Sequence, residues 1–298
     1  MKKIFVAVMA MAAFAACSNE EQIAAPKGQE IAFGDAFVDN ATKAYDNNEN
    51  LLNEFQVWGN LAGNGNTVQL YNGATVSRGG KAYGEAWSCD VTRYWTPSCA
   101  YEFVAIAHAA TVTPGEDYLP ATLTYVADGD KDLLLSDKVE ASTDGNCVIN
   151  GAANGVVAFT MRHILSKIHF TVNHSLGTDY DVVPTSIKVT GINKNGKYSL
   201  STGVWTATDD QTIDALELLN NDRVIIPVAQ TLGVKITYDI KFGATTIATG
   251  VTKEATLPET AFAKNTVYNI AATISATAIQ FTVSKVAGFD SETNVTVQ

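Results

Sequence analysis

His163, His169 and His174 are the side chains best able to hold a metal ion, through neutral imidazole nitrogens. They sit in or beside Val156 to Val172 (VVAFTMRHILSKIHFTV), which reads as extended chain. Residues six apart along a strand lie about 20 Å apart at ~3.3 Å each. His163 and His169 therefore cannot share one ion, and all three read as half-exposed structural histidines. Asp128, Asp130 and Asp132 begin like a calcium loop. Leu133 stands where that loop requires glycine and Val139 where it requires the bidentate glutamate, so a solvated loop is expected. No Walker loop, dinucleotide fingerprint, G-x-S-x-G or HExxH occurs, and no Ser, His and Asp have triad spacing. The residues point away from an enzyme, with no catalytic group, no metal and no cofactor.

Cys89 and Cys99 flank Trp95-Thr96-Pro97-Ser98. If residues 96–98 turn, Trp95 faces Cys99 and Cys89 faces Ala105, which denies the two thiols the direct opposition a bridge requires. Cys147 could pair with either, and buried thiols without a bridge are the expectation. Trp58, Trp87, Trp95 and Trp205 could stack on a sugar, giving a glycan-binding surface protein as the alternative function. Aromatic side chains of a β-sandwich more often anchor its core.

The first residues serve export. Met1-Lys2-Lys3 is basic, Ile4 to Ala16 (IFVAVMAMAAFAA) is apolar, and Cys17 follows two alanines. The apolar stretch is too short to span a membrane, which takes about 20 residues, and fits a signal peptide at 1–16. Ala15-Ala16-Cys17 resembles a lipoprotein box, with Phe14 in place of the usual Leu, and makes Cys17 the lipidation site and the outer membrane the destination. Residues 17–29 read as a lipidated tether.

The elements that must position anything else are strands. The chain carries 20 Lys+Arg against 31 Asp+Glu, a formal charge of −11. Loss of Lys2 and Lys3 with the signal leaves 18 against 31, or −13. Such an acidic chain is no nucleic-acid binder, since phosphate contacts need clustered Lys and Arg. Hydrophobic residues at 46% with charged residues at 17% exclude a disordered chain. Ile31, Phe33 and Phe37 share a strand parity, with Asp35 needing an edge or a bend. Leu52 to Trp58 presents Phe55 and Val57 on one face. Tyr101 to His108 is a near-continuous apolar run, as in a strand buried on both faces. Asn72-Gly73 and Asn195-Gly196 read as hairpin turns. Ile164, Ile168, Phe170 and Val172 fall on one side of a strand, Asp214–Leu219 suggests a short helix, and Val224–Val228, Val234–Phe242 and Val267–Ile274 are β-branched runs. Many short strands between turns give an all-β fold of antiparallel β-sandwiches. The length suits two domains, and the Gly/Asn stretch 144–155 places them at 30–150 and 151–298.

Several segments resemble the fimbrillin family of surface pilus subunits. They are Ile31-Ala32-Phe33 with Asn40-Ala41-Thr42-Lys43-Ala44, then Phe55 to Gly59, Tyr101 to Ala105, and Phe159 to Ile168 (FTMRHILSKI). Asn265 to Ile270 followed by Ile279 to Val283 resembles the family's closing strands. Lys43 replaces the usual Arg, and Phe289 stands where Trp is common. The resemblance implies two transthyretin-like sandwich domains in a lipoprotein precursor. It implies cleavage between Lys43 and Ala44, loss of the first strand, and a groove filled by a strand of the next subunit. It makes Ile279, Phe281 and Val283 the donor-strand residues. Its partners would be other pilus subunits, head to tail, with host or bacterial surface ligands, in a fimbrium.

Overall fold

The computed structural model describes residues 28–38, 52–81, 85–108 and 110–288; the side chains of residues 35, 37 and 38 are not among those described. All regular structure within it is β, with no helix among the described residues. The strands are β1 (Ala32–Val38), β2 (Glu54–Gly63), β3 (Asn66–Ser77), β4 (Ser88–Cys89), β5 (Ala100–Ala107), β6 (Thr111–Pro114) and β7 (Pro120–Val126). Next come β8 (Leu134–Ser136), β9 (Val139–Thr143), β10 (Ile149–Asn150), β11 (Val156–His163), β12 (Ser166–His174), β13 (Tyr180–Thr190) and β14 (Asn195–Ser199). The last are β15 (Val204–Ala207), β16 (Leu216–Glu217), β17 (Arg223–Ile225), β18 (Ala229–Phe242), β19 (Thr245–Ala261), β20 (Thr266–Ile274) and β21 (Ile279–Ala287).

The first sheet runs β1-β11-β8-β5-β2-β3-β4, with β9 on β5 and β10 on β9. Three four-stranded sheets follow in the orders β17-β12-β20-β21, β16-β13-β18-β19 and β15-β14-β7-β6. Side-chain alternation explains how they stack. On β5, Tyr101, Phe103, Ala105 and Ala107 enter the core enclosed by the first sheet. Val104 and Ile106 point the other way, into a core shared with Leu123, Tyr125, Tyr198 and Trp205 of the fourth sheet. That double burial is why β5 reads as a continuous apolar run. The second and third sheets enclose a separate core, with Ile168, Phe170 and Ile270 meeting Ile187, Val189, Val234 and Ile236.

Several sequence expectations are corrected. Asn72-Gly73 is not a hairpin turn but a bulge within β3. Val57 pairs with Ala74 and Trp58 with Asn72, leaving Gly73 as the extra residue at φ 75°. The turn is Asn64-Gly65, with φ 51° and 79°. Asn-Gly favours any place where φ must be positive, so the dipeptide alone cannot separate a turn from a bulge. Asn195-Gly196 begins β14, and the β14–β15 turn lies beyond Ser199. A Cβ on Gly196 would stand 2.9 Å from Ile226 Cδ1, so glycine is there for close packing. The suggested helix at 214–219 is absent, and Leu216–Glu217 forms β16 on β13. Cys89 pairs with Val76, not Ala105, because β4 lies on β3. Ile164 does not share a face with Ile168 and Phe170. It lies between β11 and β12, with Ile164 in the shared core and the other two in the second-and-third-sheet core. Nor does residue 150 divide the sheets. β11 lies beyond it yet pairs with β1 and β8, and β7 lies before it yet pairs with β14.

Candidate functional site

The feature of the first sheet that can be put to use is the way β1 is held. Residues 31–33 give it two large apolar side chains on one parity, and Gly34 lets it come close to β11. A Cβ on Gly34 would stand 2.7 Å from Val156 Cγ1. β1 runs parallel to β11, Ala32 opposite Val156 and Phe33 opposite Val157, then shifts register so that Ala36 opposes Phe159. The shift is the bend that Asp35 was expected to need. It moves the buried parity, so Ala36 follows Phe33 into the core, both 0% exposed with Ile31 at 2%. The expectation for the Phe37 side chain lies outside the described residues.

The other edge of β1 is also bonded. The Trp87 amide donates to the Phe33 carbonyl at 2.8 Å, the Ile31 amide to Arg93 O at 2.8 Å, and the Trp95 amide to Gln29 O at 2.9 Å. Ahead of the strand, Gln29 Nε2 donates to Asn154 O at 2.6 Å. Trp95 Nε1 reaches Gly155 O at 3.3 Å, tying the two flanks together. β1 thus bridges β11 and the 87–95 segment and closes the first sheet on itself.

Beneath it lies an aromatic bed. The Phe33 ring meets Tyr71 edge-on at 5.2 Å, Phe103 edge-on at 5.9 Å and Phe159 stacked at 6.1 Å. No charged side chain is buried there, and burial sets the electrostatics. It pushes the Tyr71 hydroxyl well above the ordinary tyrosine range and raises the Cys89 thiol, which stays protonated and a poor nucleophile. Burial likewise raises Tyr101, whose hydroxyl accepts from the Thr96 amide. The arrangement offers two hydrogen-bonding edges and apolar slots at alternate positions, which is what an extended chain requires. It offers no general base or nucleophile.

Of the sequence-predicted site residues, Cys17, Lys43 and Ala44 lie outside the described residues. Ile279, Phe281 and Val283 lie on β21, paired antiparallel to β20 from Ile274–Ile279 to Thr266–Ala287 without a register break. There they are half-buried on the edge of the second sheet, with the Phe281 ring 6.2 Å from Phe170. The structure therefore does not bring them to the β1 groove of the same chain. His163 contacts Asp132, and His169 Nδ1 lies 2.6 Å from Asp222. Asp130 pairs with Arg223, while Asp128 accepts from the amides of Asp130 and Lys131 at 3.0 and 2.9 Å. Among the described residues no cluster of three His, Cys, Asp or Glu could hold a metal. Cys89, Cys99 and Cys147 form no disulfide with one another. All four tryptophans are core residues, Trp58 at 5%, Trp87 at 4%, Trp95 at 2% and Trp205 at 6% exposure, so no tryptophan platform exists for a sugar. Sequence reasoning missed the 87–95 flank. Its signal was Gly28, where a Cβ would stand 2.9 Å from Trp95 O.

The fimbrillin-like family model matches residues 42–288. The chain belongs to the fimbrillin-like family. The chain is also similar to solved structures. A candidate cell adhesion protein from Bacteroides uniformis ATCC 8492 superposes with TM-score 0.56 at 17% identity, covering 87% of this chain and 98% of that one. A fimbrial protein from Bacteroides vulgatus ATCC 8482 gives TM-score 0.55 at 18% identity, covering 86% and 98%. A candidate cell adhesion protein from Bacteroides ovatus ATCC 8483 gives 0.56 at 13%, covering 90% and 100%. At these identities the likeness establishes the shared all-β fold. No curated protein matches the chain.

Proposed function

We propose that this fimbrillin-like protein is a structural or adhesive subunit of a surface fimbrium. It is exported as an outer-membrane lipoprotein through Cys17 and assembled by strand exchange after cleavage between Lys43 and Ala44. The observation that carries this reading is the position of β1. It precedes Lys43 in the chain, is hydrogen-bonded on both edges and fills the first core with Ile31, Phe33 and Ala36. Its departure would leave unpaired backbone on β11 and at 87–95 over an aromatic floor. A strand added in trans satisfies both. A head-to-tail contact that does not close gives a filament.

β21 is the donor in this reading. It ends the second sheet with one edge bonded to β20, contains no Gly or Pro, and alternates Ile279, Phe281 and Val283 with Gln280, Thr282 and Ser284. Adhesion partners are other subunits and surface ligands. Cell-surface material tests the proposal. An SDS-resistant ladder whose subunits begin at Ala44 is expected. A single band beginning at Cys17 would overturn it.

A further inference from the structure

β1 occupies its groove with one residue too many. Ala32 opposes Val156 and Phe33 opposes Val157, yet Phe159 is opposed by Ala36, three residues past Phe33 instead of two. The extra residue falls at Gly34-Asp35. Such a bulge breaks the ladder locally and leaves a residue unpaired. Here it also presses the chain onto β11, where nothing larger than Gly34 fits beside Val156. The buried side chains Ile31, Phe33 and Ala36 therefore mark three slots that β1 reaches only by way of the bulge. A regular strand would fill them with residues two apart. β21 has that spacing. Ile279, Phe281 and Val283 lie two apart, and β21 pairs with β20 from end to end without a register shift. Its Ile279-Gln280-Phe281 repeats the Ile-x-Phe of Ile31-Ala32-Phe33.

We infer that β1 is an ill-fitting placeholder and that the groove is matched to β21 of a second copy of this chain, running in the direction of β1. Phe281 then opposes Val157 and enters the Phe33 slot against Tyr71, Phe103 and Phe159. Ile279 takes the Ile31 slot. Thr282 opposes Ala158 and Val283 opposes Phe159, in the Ala36 slot, with no bulge between them. Size decides the direction. The first slot holds an isoleucine and the last an alanine, so the smaller Val283 belongs in the last. The reverse direction would force Ile279 into the alanine slot, and overpacking a closed core is costly. The next residue on the buried parity, Lys285, would oppose the buried Met161, so the donor leaves the groove after Ser284. Exchange thus trades a bulged strand for a continuous one with the same side-chain pattern. The inference rests on the strand-exchange reading above and adds the register and direction of the incoming strand.

A synthetic peptide of residues 276–284, added in excess while trypsin cleaves the full-length precursor after Lys43, tests it. The peptide should cap the opened groove and suppress the SDS-resistant ladder. Phe281→Ala in the peptide should raise the concentration that halves the ladder about a hundredfold, and Ile279→Ala about tenfold. Val283→Ala restores the alanine that β1 carries in that slot, and should change the concentration less than about threefold. An inverted order of Ile279→Ala and Val283→Ala, or equal effects, would overturn the register. A ladder that forms undisturbed by the wild-type peptide would overturn β21 as the matched strand. A second measurement needs no assembly. Deleting Asp35 from the full-length chain removes the extra residue and lets β1 run straight. The thermal midpoint of the precursor should hold or rise, and after cleavage β1 should leave about tenfold more slowly. A lower midpoint, or release no slower than in the wild type, would show that the bulge belongs to the fit and overturn the placeholder. A wild-type precursor that forms no ladder after cleavage would instead sink the strand-exchange reading, while the Asp35 deletion would still judge the fit of β1.

Discussion

Tyr71, Tyr101, Tyr125, Tyr238 and Tyr268 share one physical condition: burial raises each phenol above its ordinary value of 10.0. With the folded value raised, the unfolded chain gives up its phenolic protons first, so unfolding releases protons and higher pH favours it. Their contribution is complete below pH 10.0 and is lost as pH rises beyond that value. Denaturant titrations from pH 8 to 12 should show stability falling steeply above about 10. Tyr238→Phe should make the fall shallower, since burial is the cause acting there; an unchanged slope would contradict the assignment. Cys17 allows an equally local test. Cys17→Ala should abolish fatty-acid labelling and leave the protein periplasmic or uncleaved, and unchanged labelling would refute the lipoprotein reading. At this scale the sequence was legible where a segment had to be a solvated loop: Asp128 and Asp130 are exposed outside any strand, Asp128 accepting from backbone amides and Asp130 paired with Arg223. What could not be read was Tyr71 or Trp87 as groove residues, since the pairing that places them against Phe33 spans more than 35 positions of chain.

Strands betray themselves when their burial is uniform. β5 and the buried parity of β2 were readable because side-chain alternation alone determines which residues need cover. The β11–β12 passage was not readable. Ile164 and Leu165 are both apolar and buried, so the chain changes sheets without the Gly, Pro or Asn that marks an exposed corner. The same limit hid the parallel pairing of β1, because parallel partners are joined by long connections and leave no local trace. Its consequences can be measured. Phe33→Ala removes a fully buried ring from between Tyr71, Phe103 and Phe159. Such truncations cost about 3–5 kcal/mol, so the urea midpoint of the precursor should fall accordingly. Limited trypsin should cut after Lys43 sooner in this variant, because β1 would detach more often. A loss under about 1 kcal/mol, far below the usual cost of a buried aromatic, would mean that β1 contributes little to the precursor and that its removal opens no groove worth refilling.

Two of the strand edges among the described residues, those of β19 and β21, differ in character. β19 ends the third sheet as a long strand, but Gly250 at φ 62° and Pro258 interrupt it and Lys253 and Glu254 decorate it, which discourages pairing. β21 ends the second sheet in unbroken register, and half-exposed Ile279, Phe281 and Val283 leave part of their apolar area in water. An edge held in that way can be given up. β20 would keep its parallel bonds to β12 along Ser166–His174, and Ile270, Ala272 and Ile274 would keep their contacts across the sandwich. Phe170 would lose its edge-on partner Phe281, the main cost to the remaining core. Deleting residues 276–298 is therefore expected to leave a folded, exported monomer of reduced stability that forms no filament. Two measurements decide it together: the far-ultraviolet β-sheet signal and melting midpoint of the truncated protein, and the SDS-resistant ladder after processing. Aggregation and degradation of the truncated chain would show that β21 acts in cis as an indispensable core strand. A stable truncated protein that still builds the ladder would show that the donor lies elsewhere in the chain, and that the open edge of β21 serves no part in assembly.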